Sequence, residues 1–96
     1  MDVLLTYDVN TETKAGRRRL RHIAKLCLDY GQRVQWSVFE CSVDAMQFDQ
    51  LCNQARSIIN HDLDSIRIYR LHGGHHKAVQ VFGKDSYVDF TAPLIL

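Results

Sequence analysis

The chain has 96 residues, one domain's worth with a modest core, so a dimer that buries further surface is expected. Hydrophobic residues make up 46% and charged residues 24%, which excludes a disordered, collagenous or disulfide-scaffold chain. Formal net charge is only +1, yet residues 14–33 hold seven basic residues and one acidic, a local +6, against five basic and ten acidic elsewhere, a local −5; such a stretch reads either as a site for an anionic partner or as a solvated helix face.

Residues 3–9 (VLLTYDV) read as a buried strand that opens into a polar turn, Asn10-Thr11-Glu12-Thr13, rich in helix N-caps. A helix is predicted over 13–30. Leu20, Ile23, Ala24, Cys27 and Tyr30 form one apolar stripe, and Gly31 supplies the stop. At about 100° per residue, Lys14, Arg18, Arg21 and Lys25 fall in a band roughly 60° wide beside that stripe. They make a basic ridge, which strengthens the site reading.

Residues 33–43 (RVQWSVFECSV) have strand character, but the phase changes inside. Val34 and Trp36 share one parity, and Phe39, Cys41 and Val43 the other. A period of two cannot bury both sets on one side, so a bulge or a tight break falls near Trp36-Ser37, and the segment is read as two strands. Asp44 caps a second helix, with Gln47 in capping-box position. Phe48, Leu51, Cys52, Ala55, Ile58 and Ile59 give its apolar stripe, and it ends near Asn60-His61. A strand follows over 64–71, then the loop His72-Gly73-Gly74-His75-His76 and a short strand near 78–82. The tail carries the only proline, Pro93, and ends in the apolar Leu94-Ile95-Leu96.

The order βαββαβ, with an added strand and a tail, predicts an α+β, ferredoxin-like domain over 1–96: an antiparallel sheet with two helices on one face. The other face must be solvated, bind a ligand or meet a partner chain. The apolar terminus favours a partner chain, with the tail 83–96 packed on it. No apolar run approaches the roughly 18 residues of a membrane span. Asp2 stands where a secretory signal would carry positive charge. A cytoplasmic protein without membrane association is therefore expected. The three cysteines, Cys27, Cys41 and Cys52, form no C-x-x-C and read as buried reduced thiols.

Asp8 is the outstanding candidate for chemistry. It ends an apolar strand just before the basic helix, where a carboxylate either holds a hard cation or caps the turn that follows. A two-fold dimer would bring two such carboxylates together. His72, His75 and His76 cluster, but no cysteine or carboxylate stands at zinc-ligand spacing, so a solvated or phosphate-touching loop is the better reading. No G-x-S-x-G and no phosphate-cradling glycine pattern is present.

Val3-Leu4-Leu5-Thr6-Tyr7-Asp8-Val9, the Arg17-Arg18-Arg19-Leu20-Arg21 helix, Tyr30-Gly31, and Arg33-Val34-Gln35-Trp36-Ser37-Val38-Phe39-Glu40-Cys41 together resemble the CRISPR-associated "Cas two" endonuclease family. The T-E-T-K-A-G-R-R-R-L-R stretch looks like its subtype I-C branch. The resemblance implies a homodimer whose C-terminal strand crosses to the partner's sheet. It implies that Asp8 pairs with its dimer mate to bind a divalent cation, usually magnesium, with manganese as a substitute. It further implies metal-dependent RNase or DNase activity, and a bridge between dimers of the "Cas one" integrase in spacer acquisition. Tyr7, Arg33, Ser37 and Phe39 carry over as site-neighbouring or structural positions. Trp36 departs from the pattern, with no consequence expected. No side chain offers itself as general base, so weak activity, best at alkaline pH, is anticipated.

Three rivals share the fold. An RNA-recognition motif needs an RNP1-like run that is missing. A small-molecule sensor leaves the basic helix unexplained. An architectural dimer that binds duplex DNA fits the ridge equally well.

Overall fold

The computed structural model describes residues 1–71 together with Gln80 and Phe82. The His72–His76 loop, most of the strand expected at 78–82 and the tail 83–96 lie outside the described residues. The elements run β1 (Asp2–Asp8), α1 (Lys14–Tyr30), β2 (Gly31–Gln35), β3 (Val38–Ser42), α2 (Ala45–Ile58) and β4 (Ser65–Leu71). Among the described residues every strand pairing is antiparallel and the sheet order is β2-β3-β1-β4. This is the ferredoxin-like arrangement expected from the element order.

Strand parity sorts the sheet into two faces. Val3, Leu5 and Tyr7 of β1 and Phe39 and Cys41 of β3 are buried with Ile23, Leu26 and Cys27 of α1 and Leu51 and Ala55 of α2. Leu4, Thr6 and Asp8 take the opposite parity. In register they lie beside Tyr69, Arg67 and Ser65 of β4. Leu26 lies outside the expected stripe of α1. That helix meets α2 as well as β2 and β3, so its buried arc is wider than a single seam.

The helix ends follow local chemistry. Thr13 Oγ1 accepts the Gly16 N–H at 3.0 Å and starts α1. Gly16 is required there, because a Cβ would collide with the Asn10 carbonyl of the β1–α1 loop. Gly31 does end α1, but not through the left-handed turn expected of a helix-stop glycine. Its backbone is extended (φ −165°, ψ −154°) and passes straight into β2. A side chain at Gly31 would strike the Glu40 carbonyl and the Cys41 Sγ, so close approach is what selects glycine. The Asp44–Gln47 capping box forms as expected, with bonds of 2.7 and 2.9 Å.

The phase change within 33–43 uses both devices that the sequence allowed. The chain breaks between Gln35 and Val38, and the register also shifts between Arg33 and Gln35. Trp36 does not share a packed face with Val34. It stands at the turn, 86% exposed. Cys27 and Cys41 are buried thiols, whereas Cys52 is only half-buried. Burial, reinforced by Cys41, pushes the Cys27 thiol up to about 12; burial and Glu40 push Cys41 to about 11. Neither is poised for nucleophilic work.

Candidate active site and nucleic-acid interface

Asp8 is the last residue of β1 and is exposed. Its carboxylate makes no hydrogen bond or ion pair among the described residues. It does not cap the following turn or helix: Asn10 Oδ1 takes the Glu12 N–H at 3.0 Å, and Thr13 caps α1. A β-strand pairs Asp8 with Ser65 and points it away from the helices. Among the described residues, the capping work at this corner thus falls to Asn10 and Thr13.

A second carboxylate, Asp64, has the structural task instead. Its side chain is closed to solvent and bridges three segments. Oδ1 accepts the Asn10 N–H at 3.0 Å, Oδ2 accepts the Asn60 N–H at 2.9 Å, and Arg19 Nε donates to Oδ2 at 2.8 Å. Burial opposes its ionisation, but the Arg19 guanidinium and the two backbone N–H groups outweigh it and hold the carboxyl below its ordinary 3.8. The clamp fixes the β1–α1 loop two residues beyond Asp8. Sequence pattern alone does not show it: Asp64 reads there as the first residue of the strand 64–71, and Arg19 as one charge of the basic run.

The four site-neighbouring residues do come together at the Asp8 end of β1. Tyr7 stacks on Phe39 with centroids 6.0 Å apart and planes 25° apart. Its hydroxyl donates to the Trp36 carbonyl at 3.2 Å, and its N–H donates to the Ser37 carbonyl at 3.1 Å. Burial raises the Tyr7 pKa, partly offset by Arg33. The Arg33 guanidinium lies 5.2 Å from the Phe39 ring centre and 5.9 Å from that of Trp36. Tyr7 and Phe39 are core residues on the helix side. They brace the end of the strand rather than line the surface that Asp8 occupies.

Lys14, Arg18, Arg21 and Lys25 are all exposed, and none forms an ion pair among the described residues. From Lys14 to Lys25 the ridge runs about 16 Å along α1. The helix layer and the face to which Asp8 points are opposite sides of the sheet, so ridge and carboxylate form two surfaces rather than one pocket. Arg17 is partly spent on the loop, donating to the Thr11 carbonyl at 3.1 Å.

Among the described residues no three His, Cys, Asp or Glu side chains gather as a metal site. The donor that Asp8 offers is nevertheless a solvent-open carboxylate, the type that holds magnesium by one or two oxygens while water fills the rest. Among the described residues, one chain supplies one such ligand at this strand end. No helix among the described residues is long and apolar enough to cross a membrane.

The family model described as "CRISPR associated protein Cas2" matches residues 1–79. The CRISPR-associated endoribonuclease Cas2 1 of Moorella thermoacetica is 52% identical over 96 residues, all of both chains. The CRISPR-associated endonuclease Cas2 of Halalkalibacterium halodurans is 47% identical over 95 residues, 99% of each chain. Among solved structures, Streptococcus pyogenes Cas2 superimposes with a TM-score of 0.77 at 57% identity, covering 86% of this chain and 100% of that one. Motif, fold and full-length likeness agree, and the chain belongs to the Cas2 family of CRISPR-associated proteins.

Proposed function

We propose that the protein is a metal-dependent endonuclease of CRISPR adaptation that hydrolyses RNA or DNA phosphodiesters. The observation that carries this reading is the unpartnered Asp8 carboxylate, held at a clamped strand end in a chain whose full-length relatives are named endoribonucleases and endonucleases. Asp8 of each protomer in a homodimer would hold a shared Mg2+ or Mn2+. When bound, such a cation offsets charge on the phosphoryl group and acidifies water. Asp8 orients it, the Asp64–Arg19 clamp keeps Asp8 in place, and the basic ridge holds the phosphate backbone without reading sequence. Leu4, Val38, Tyr69 and Leu71 lie on the same sheet face as Asp8 and give a second copy an apolar surface to pack on. The tail 83–96 would pack on that copy. The integrase "Cas one" is the proposed protein partner, bridged through the dimer.

The deciding experiment is a nuclease assay on RNA and on DNA, with and without magnesium, comparing wild type with Asp8→Asn. Cleavage that needs the metal and vanishes in the variant supports the enzyme. Equal cleavage by both proteins, or none by either with duplex binding intact, makes the non-catalytic DNA-binding dimer the better reading; the exposed ridge serves that role equally. Sedimentation of the chain truncated at residue 91 tests the tail, and an unchanged dimer would count against exchange of the C-terminal strand.

A further inference from the structure

We propose that Trp36 is a stacking platform that receives an unpaired nucleobase of a single strand lying across the Asp8 end of the sheet. The inference rests on the nucleic-acid reading above and names the form of substrate that the site would take.

Trp36 is 86% exposed at the turn between β2 and β3. Turns are ordinarily built from small and polar residues, and the largest apolar side chain left in water at such a position is costly. Nothing in the core requires it there: Phe39, Leu5 and Ile23 close the interior without it. The turn is also rigidly held. Tyr7 donates its hydroxyl to the Trp36 carbonyl and its N–H to the Ser37 carbonyl, at 3.2 and 3.1 Å. The backbone that carries the indole is thus tied to the residue that immediately precedes Asp8.

The β1–β3 ladder runs up to this turn. Thr6 pairs with Val38, and the Tyr7–Ser37 hydrogen bond continues that ladder. Trp36 follows in the turn itself, beyond the last paired residues, with its carbonyl bonded to the residue before Asp8. The Arg33 guanidinium lies 5.9 Å from the indole centre, which places a cation against the ring and leaves most of the indole open. An aromatic ring backed by arginine is the chemistry that binds the flat face of a base. It is tolerant of sequence because every base has such a face. Bases inside a duplex are already stacked and cannot reach it, so the platform selects single strands. It does not read the 2′-hydroxyl, so RNA and DNA strands are both accepted.

The chain has one tryptophan, so its fluorescence reports this position alone. The full-length Asp8→Asn protein, which should leave the strand uncut, would be titrated with oligouridylate, oligothymidylate, an abasic strand of equal length and a blunt duplex. Occupancy is followed separately by anisotropy of labelled strands. Both base-bearing single strands should quench the tryptophan in step with occupancy, while the abasic strand and the duplex should not. Trp36→Ala should weaken single-strand affinity about tenfold, with duplex affinity and melting temperature kept, and Trp36→Phe should recover most of the loss. Equal quenching by the abasic strand, or unchanged affinity in Trp36→Ala, overturns the proposal. So does an emission already blue-shifted and shielded from acrylamide in the free protein, which would put the indole inside a contact between chains. Wild-type cleavage is measured in parallel. Quenching without cleavage rejects the nuclease reading alone, and cleavage without quenching rejects the platform alone.

Discussion

Asp8 and Asp64 are the same residue type at the same end of the sheet, and Asp8 pairs with Ser65, the next residue after Asp64. One is exposed, with a carboxylate that has no partner among the described residues; the other is closed to solvent and tied to Arg19, Asn10 and Asn60. Strand geometry sends Asp8 to the open face, while the loop before β4 turns Asp64 beneath the β1–α1 loop. The contrast teaches that a carboxylate left without partners must be looked for beside one that is fully used. The clamp absorbs the structural requirement of the corner and leaves Asp8 free to bind something else. Buried carboxylates are tolerated when paired and hydrogen-bonded, and removal of one partner is expensive.

Exchange of Asp8 for Asn should have the largest effect. Cleavage should fall on the order of a hundredfold or more, as when a principal electrostatic contact to the reacting group is lost. Melting temperature and dimerisation should be kept or improved, because in the proposed dimer the variant also removes repulsion between two carboxylates across the axis. Calorimetry beside the nuclease assay checks both halves. An unfolded Asn variant would return Asp8 to the structural class and dissolve the contrast with Asp64.

Asp64→Ala should act first on stability. Stripping the acceptor from a half-buried arginine and two N–H groups costs about 2–3 kcal/mol, or about 10–20 °C in melting temperature for a domain of this size. Its pH dependence has a definite sign. The folded carboxyl titrates below its ordinary 3.8, so its stabilisation is complete above the unfolded value and is lost as pH falls through the folded one. Wild type should therefore lose melting temperature more steeply between pH 4 and pH 2 than Asp64→Asn. Parallel slopes in a thermal scan would show that the clamp carries no differential charge.

What could be read beforehand follows the range of each interaction. The capping box at Asp44 and the break before Val38 are local, and pattern alone reveals them. The outward direction of Asp8 was also within reach, since Val3, Leu5 and Tyr7 alternate with Leu4, Thr6 and Asp8. Gly31 was legible as a stop but not as a close approach, because the atoms that exclude a side chain there belong to Glu40 and Cys41 on the next strand. The Asp64 clamp was not legible. Its partners come from positions 10, 19 and 60, and no local spacing announces their meeting.

Burial of Cys27 and Cys41 separates interior from surface in the same way. With thiols pushed to about 12 and 11, both should resist a thiol reagent at pH 8 in the folded protein. Half-buried Cys52 should label first, and all three should react once the chain is unfolded. Fast labelling of more than one thiol under native conditions would mean that the α1–β3 core opens locally.

The arginines of α1 repeat the division between the two aspartates on a smaller scale. Arg19 is committed to Asp64, whereas Arg18 and Arg21 stand exposed with no ion pair among the described residues. Arg19→Ala should lower the melting temperature and leave the salt dependence of nucleic-acid binding nearly as it was. The double variant Arg18→Ala, Arg21→Ala should behave oppositely. Surface changes of this kind move stability by about 0.5 kcal/mol or less, but each lost phosphate contact removes about 0.9 from the slope of log affinity against log salt on duplex DNA. A decrease of about 1.8, equal for unrelated sequences, is therefore expected if both arginines reach phosphate. A filter-binding series from low to moderate salt measures it. If the slope is unchanged while Arg19→Ala alters it, the contacting side chains are not those of the ridge, and the backbone of the bound strand runs over another part of the surface.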